Sequence, residues 1–363
     1  MTSKAHRRLL PVLAVTLLLL LIGRCPAGEA PWAFVALADP KPVGQTADGK
    51  GIQKSFGKDL MYLKDAFIDK AEPNRPAPSF VIVPGDFSPA GVTDQTFAKV
   101  LGEDFPWLPV MGNHDLSSRD AMAKVLARYE KRLGIHHGPK DGPPGQYEFT
   151  FRNVLFVAPD QHGPKTRPRK GPAKAAADEA NSAGPPPIGA KYKWLQDTVA
   201  ASKAPFRIVV VHEPAWPFHR HTGDLLHGTS EERDRFWQLL ADSNCQLLLT
   251  GHTHAYSTYQ WLGNADPDRW QKHTSGIIPG PLGVWQIDAG RAAGPASHQT
   301  RVLVYCKVTD ECIEVETHVA AATSKGDRPW QVPPDARNAR YRLKIYPEVK
   351  SNLPAGAPPV PKP

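Results

Sequence analysis

The sequence predicts an α/β protein, a layered sandwich with mixed sheets, and three patterns carry that prediction. Short apolar, β-branched runs recur along the chain: AFVALA, SFVIVPG, PWLPVMG, NVLFVAPD, RIVVVHE, CQLLLTG and GVWQIDAG. Each has the length of one strand, and most stop at Gly, Asp, His or Pro. Amphipathic segments of helical period lie between several of them, as layered α/β folds require. Two pairs, YEFTF with NVLFV and RVLVYCKV with CIEVETHV, follow each other with no helix between. Part of the sheet structure is therefore expected to be antiparallel.

The helices are justified one by one. In FGKDLMYLKDAFIDKAE, the residues Leu60, Leu63, Phe67 and Ala71 recur at spacings of three and four, which lines one helix face. SSRDAMAKVLARYEKRLG opens with Ser117 and Ser118 as N-cap candidates and stops at Gly134. AKYKWLQDTVAAS and SEERDRFWQLLADS have the same texture. Two segments depart from it. Residues 162–189 are rich in Pro, Gly, Ala and Lys and read as a surface insertion. Residues 324–363 form a Pro-rich C-terminal tail, which leaves one domain over 31–323.

The first residues are set apart from that domain. Basic MTSKAHRR, apolar LLPVLAVTLLLLLIG and small-residue RCPAGEA follow one another in the order of a secretory signal peptide. The apolar run of about 15 residues is short of the roughly 20 needed to span a bilayer. The expectation is cleavage after Ala27, a secreted or periplasmic location, and no membrane span in the mature chain. Cleavage removes Lys4, Arg7, Arg8 and Arg24 and no acid, which brings the formal charge of +8 down to +4. That is a mild bias toward anionic partners, with no basic helix, so no specific nucleic acid is expected. Cys245, Cys306 and Cys312 remain. A turn near residues 309–311 would set Cys306 and Cys312 facing each other, and an oxidising compartment permits a bridge there. The alternative is two ordinary hairpin cysteines.

The chemistry sits at the strand ends. Asp39 follows FVALA, Asp86 follows FVIVPG, and Asn113, His114 and Asp115 follow PWLPVMG. RIVVV leads into His212, and QLLLTG into His252 and His254. Open α/β sheets place their sites beyond the carboxyl ends of strands. One Asp after a Gly is usually a turn, but this many polar stops, each after its own apolar strand, point to a site. Mixed nitrogen and oxygen donors suit Fe, Mn, Zn or Co better than Ca. No Gly-rich phosphate loop, G-x-S-x-G elbow or paired C-x-x-C occurs.

In chain order the motifs read ADPK, PGDF, MGNHDL, VVHEP and TGHTH. This set resembles the calcineurin-like metallophosphoesterase superfamily over most of the chain, GNHD with GHTH carrying most of the likeness. The resemblance implies a four-layer α/β/β/α sandwich. It also implies an exported metal-dependent hydrolase acting on phosphate esters by attack of a metal-bound hydroxide, on monoesters or on diesters. By position, Asp86 would bridge two metals, with Asn113, His212 and His252 completing one site and Asp39 and His254 belonging to the other. His114 would serve as acid toward the leaving group, with Asp115 orienting its ring.

One position departs from the pattern. Lys41 stands where the family has a histidine ligand, and an ammonium has no lone pair to give. The tyrosine that the purple acid phosphatase variant supplies is absent too, because Pro89 occupies its position. Family members with a DPQ motif also lack this histidine. Three readings of Lys41 stay open: water takes the coordination position, the ammonium contacts substrate phosphate, or the first metal site has degenerated. The last would leave one metal, or a non-catalytic metal-binding module.

Overall fold

The computed structural model describes residues 30–40, 54–139, 145–162, 189–217, 221, 230–261, 283–292, 300–323, 326–327, 329–332 and 341–347. The expected signal peptide, Lys41, nearly all of the 162–189 insertion and the last residues of the tail lie outside these.

Two mixed sheets form the centre. In chain order the elements begin with β1 (Trp32–Ala36), α1 (Lys54–Leu63, extended by a π-helical turn Lys64–Ile68), β2 (Pro78–Pro84), α2 (Ala90–Leu101), β3 (Trp107–Val110) and α3 (Arg119–Leu133). Next come β4 (His136–His137), β5 (Tyr147–Phe151), β6 (Val154–Ala158), α4 (Gly189–Ala201), β7 (Phe206–Val210), α5 (Ser230–Asp242) and β8 (Leu247–Thr250). The chain continues through β9 (Tyr256–Trp261), β10 (Val284–Ala289), β11 (Thr300–Val308), β12 (Ile313–Thr323), β13 (Gly326–Asp327) and β14 (Arg342–Ile345). The first sheet has the order β13-β12-β11-β1-β2-β3, with β14 also on β12; the second has the order β4-β5-β6-β7-β8-β10-β9. β1, β2 and β3 run parallel, and so do β6, β7, β8 and β10. The remaining pairings are antiparallel.

Period-two alternation decides what each strand of the second sheet touches. Phe156, Ile208, Val210, Leu247 and Leu249 join the main core shared with the first sheet. Their neighbours Leu155, Val157, Val209, Val211 and Leu248 turn the other way and pack with Leu195, Val199, Phe236, Trp237 and Leu240 of α4 and α5. Phe34 of β1 stacks on Phe80 of β2 at 5.7 Å and meets Phe156 of β6 edge-on at 5.1 Å. Such offset and edge contacts are the favoured aromatic geometries, and they clamp the sheets together. On the far side of the first sheet, Phe97 of α2 stacks on Trp107 at 4.9 Å, and Met122, Val125, Leu126 and Tyr129 bury the apolar face of α3. The result is the expected α/β/β/α layering.

The termini of α3 fall where the sequence placed them. Gly134 closes the helix in a left-handed conformation, φ 66°, which glycine adopts without strain. Ser118 occupies the N-cap, yet its hydroxyl pairs with Ser88 Oγ at 2.8 Å instead of capping the helix.

β14 lies within the segment read as a tail, pairs with β12 over four residues and buries Leu343 and Ile345 between exposed Arg342 and Lys344. Cys306 and Cys312 are free thiols. The hairpin sets Val308 opposite Ile313, so Cys306 faces Val315, while Cys312 falls in the turn. Two cysteines out of register by that much cannot meet the close Cβ approach a disulfide requires. Alkylation of the denatured, unreduced protein is expected to label both cysteines in full. A Cys306–Cys312 bridged peptide recovered by mass spectrometry would overturn this register.

Candidate metal centre

The parallel strands deliver the site. β1 and β2 run side by side, so the residues after them emerge at one edge; the amide of Asp39 donates to the Gly85 carbonyl at 3.2 Å. Across the seam, β7 and β8 do the same, with the Gly251 amide donating to the His212 carbonyl at 2.9 Å. Asp39, Asp86 and Asn113 thus come from the first sheet, and His212, His252 and His254 from the second. The turns between strand and ligand leave no room for a side chain. A Cβ on Gly85 would lie 2.2 Å from His212 Nδ1, and Gly85 itself is at φ 83°. A Cβ on Gly112 would lie 2.5 Å from Asp86 Oδ1.

Four of the candidate residues hold left-handed backbone: Asp39 (φ 50°), Asp86 (54°), His252 (73°) and His254 (58°). Asp and His tolerate this region better than most side chains, but each instance costs of order 1–3 kcal/mol and persists only where the surroundings enforce it. Strain of that kind gathers at functional sites.

The side chains converge. Asp39, Asp86 and His212 are buried, and one ligand atom from each lies within 4.8 Å of the others. His212 Nε2 is 3.1 Å from Asn113 Oδ1, 3.1 Å from His252 Nδ1 and 3.4 Å from Asp86 Oδ1. Its Nδ1–H donates to the Pro84 carbonyl at 2.8 Å, which turns Nε2 toward the cluster, the usual way a ligating imidazole is oriented. His254 Nε2 is 3.3 Å from Asp39 Oδ1. The other Asp39 oxygen accepts the His252 amide at 2.8 Å, while Asp39 Oδ1 is buried and accepts no hydrogen bond from the described residues. A buried carboxylate oxygen left so is costly without a cation.

Electrostatics point the same way. Burial pulls the His212 imidazole toward its neutral form, but the carboxylates of Asp86, Asp39 and Glu213 outweigh this and lift its pKa to about 9. Burial and the neighbouring His212, His221, His162 and His254 drive His252 far down instead. The facing nitrogens of these two imidazoles are 3.1 Å apart. Buried anions without cations draw in a proton, and a metal entering here must expel it. The donor set, the orphaned oxygen and the excess negative charge all fit transition-metal cations.

His114 and Asp115 lie in different surroundings, one exposed and the other buried. His114 is half exposed, with Nε2 3.8 Å from Asp86 Oδ2, and its amide donates to Asp86 Oδ1 at 3.1 Å. The Asp115 carboxylate is taken up by backbone amides: Asp86 at 2.7 Å, Gly112 at 2.9 Å and Ser88 at 2.9 Å. It ties the loop bearing Asp86 to the loop bearing Asn113. Burial, then the nearby Asp86 charge, lifts its carboxyl to about 6 against the pull of those amides.

Sequence reasoning missed three neighbours. His221 lies with its ring centroid 4.0 Å from that of His252. Glu213 is buried beside His212, and the Gln161 side-chain amide brackets its backbone at 2.8 and 3.0 Å. His162 Nδ1 stands 3.8 Å from Glu213 Oε1, its ring 6.2 Å from that of His212. The one available hint was position, since Glu213 directly follows His212 in its strand-end motif. Asp160, at the end of β6, pairs with Arg119 and accepts the His162 amide at 2.9 Å.

The chain resembles known proteins in family and in fold. Residues 57–256, more than half the chain, match the model of the calcineurin-like phosphoesterase family. No curated protein matches the sequence. Among solved structures, the chain is similar to a dimetal phosphatase from Danio rerio at 12% identity and a TM-score of 0.50, over 87% of this chain and 98% of that one. A purple acid phosphatase from yellow lupin (Lupinus luteus) seeds is similar at 14% identity and a TM-score of 0.49, over 87% and 54%. PhoD is similar at 12% and 0.49, over 83% and 72%. At such identities the first likeness speaks to the fold, a two-sheet α/β sandwich. The family match carries more, since its span includes Asp86, the GNHD segment and GHTH, and the chain belongs to the calcineurin-like phosphoesterase family.

Proposed function

We propose that this protein is an exported, metal-dependent phosphoesterase that hydrolyses phosphate esters at the seam between its sheets. The convergence of Asp39, Asp86 and His212 within 4.8 Å, with Asn113 and His252 each 3.1 Å from His212, carries the reading. Asp86, Asn113, His212 and His252 would hold one cation, and Asp39, Asp86 and His254 a second, with Asp86 shared. Two cations at close range need such an anionic bridge. When bound, these cations supply Lewis acidity toward phosphoryl oxygens and acidify a water for in-line attack. The chain's own residues do the rest. Backbone amides of His114 and His252 fix the orientation of the two carboxylates. Half-exposed His114, the candidate general acid, gives a proton from its ring to the departing oxygen. Export rests on the n-region, h-region and cleavage zone of residues 1–27. No helix among the described residues is long and apolar enough to cross a membrane.

Asp86→Ala is expected to abolish metal-dependent hydrolysis of an aryl phosphate and an aryl phosphodiester while circular dichroism stays parental. Near-parental turnover by the metal-loaded variant would sink the two-metal reading, and a metal-loaded parent inactive on both substrates would favour a binding module.

His114→Ala is expected to keep its metal and lose a factor of about 10²–10⁴ in kcat. The loss should shrink for leaving groups that need no protonation. Equal losses for good and poor leaving groups would count against the acid role.

Lys41→His supplies a neutral donor two residues from Asp39. Metal titration is expected to show a second equivalent binding at lower free metal. If the ammonium serves the substrate phosphate, kcat/KM falls as occupancy improves, because a charge-assisted contact is lost. No change in either quantity would place residue 41 outside the site.

A further inference from the structure

His252 and His254 both hold left-handed backbone with a single residue, Thr253, between them. Two such conformations so close need something rigid to enforce them. Thr253 is fully buried, and its hydroxyl lies 2.6 Å from Asp288 Oδ2 and 3.1 Å from the Ala255 carbonyl, while accepting the Ala255 amide at 3.3 Å. Asp288 belongs to β10, the strand lying between β8, which leads into the histidine loop, and β9, which leaves it. In register it faces Thr250 on one side and Ser257 on the other. Its second oxygen accepts the Gly290 amide at 2.9 Å, which fixes the carboxyl in place. The acid is completely buried, and it lies near the end of the GVWQIDAG run without belonging to any of the five ligand motifs.

We propose that Thr253 and Asp288 form a positioning pair that sets the His252 and His254 imidazoles at the geometry metal binding requires. The inference rests on the metal-centre reading above. Asp288 is a positioning residue here: its hydrogen bonds go to Thr253 and Gly290, and it acts on the imidazoles through the loop backbone. Such outer partners hold ligands in the orientation the metal needs, so that binding does not have to supply the ordering.

The test is calorimetric titration of the metal-free full chain with Mn²⁺, alongside metal-free thermal unfolding. Thr253→Ser keeps the hydroxyl and is expected to retain parental affinity. Thr253→Val keeps the shape without the hydroxyl and is expected to bind Mn²⁺ about 10–100-fold more weakly, with its metal-free unfolding temperature near parental. Parental affinity in folded Thr253→Val, or an equal loss in Thr253→Ser, would overturn the proposal. Asp288→Ala asks the same question from the other partner, and it stands in if Thr253→Val does not fold. With both folded, the double variant is expected to bind no more weakly than the weaker single one; additive losses would mean two independent effects and no pair. A parent that binds no Mn²⁺, Zn²⁺ or Co²⁺ would sink the metal-centre reading itself. Parental binding that Thr253→Val leaves unmoved would sink this inference alone.

Discussion

Two buried carboxylates, Asp39 and Asp86, meet a buried imidazole at the seam between the sheets, and the cost of gathering them organises the rest of the molecule. Charges removed from water must be paired or hydrogen-bonded. Here the compensation comes in part from backbone amides of the partner motifs: His252 to Asp39 and His114 to Asp86. The remainder is a deficit of positive charge: the carboxylates around His212 raise its pKa against the effect of burial.

Rigidity is the second demand. Left-handed backbone at four candidate residues holds only if neighbouring elements enforce it. Three kinds of support do so. Glycines allow the strand-end turns to close onto the His212 ring and the Asp86 carboxylate. Asp115 collects three amides from two loops and locks Asp86 against the Asn113 segment. Thr253 and Asp288 tie the histidine loop to the strand between its flanks. Behind all three stands the aromatic clamp of Phe34, Phe80 and Phe156, which fixes the distance between sheets and so between the two halves of the site.

Much of this was legible in the sequence because it is local. A strand followed by a buried acid, or by Gly-Asn-His-Asp, carries its meaning within a few residues. The layered α/β class, the strands that lead into the candidate site, the α3 boundaries and the polar residues at the strand ends all follow from such short-range patterns. Even the mixed character of the sheets was readable, from strand pairs with no helix between them.

What the sequence left open are relations between distant residues. Register is one: a hairpin centred slightly away from expectation puts Cys306 opposite Val315 and removes a bridge that composition alone permitted. Edge pairing is another, since a four-residue strand such as β14 becomes evident only against β12. Asp115 is the plainest case. Its sequence position beside His114 carries no sign of the three backbone amides it accepts, two of them about thirty residues away in the chain. The sequence by itself determined which residue types stand at the strand ends. Tertiary structure alone decided which of them touch, because sheet order and sheet-on-sheet packing, and not chain proximity, set the distances at the seam.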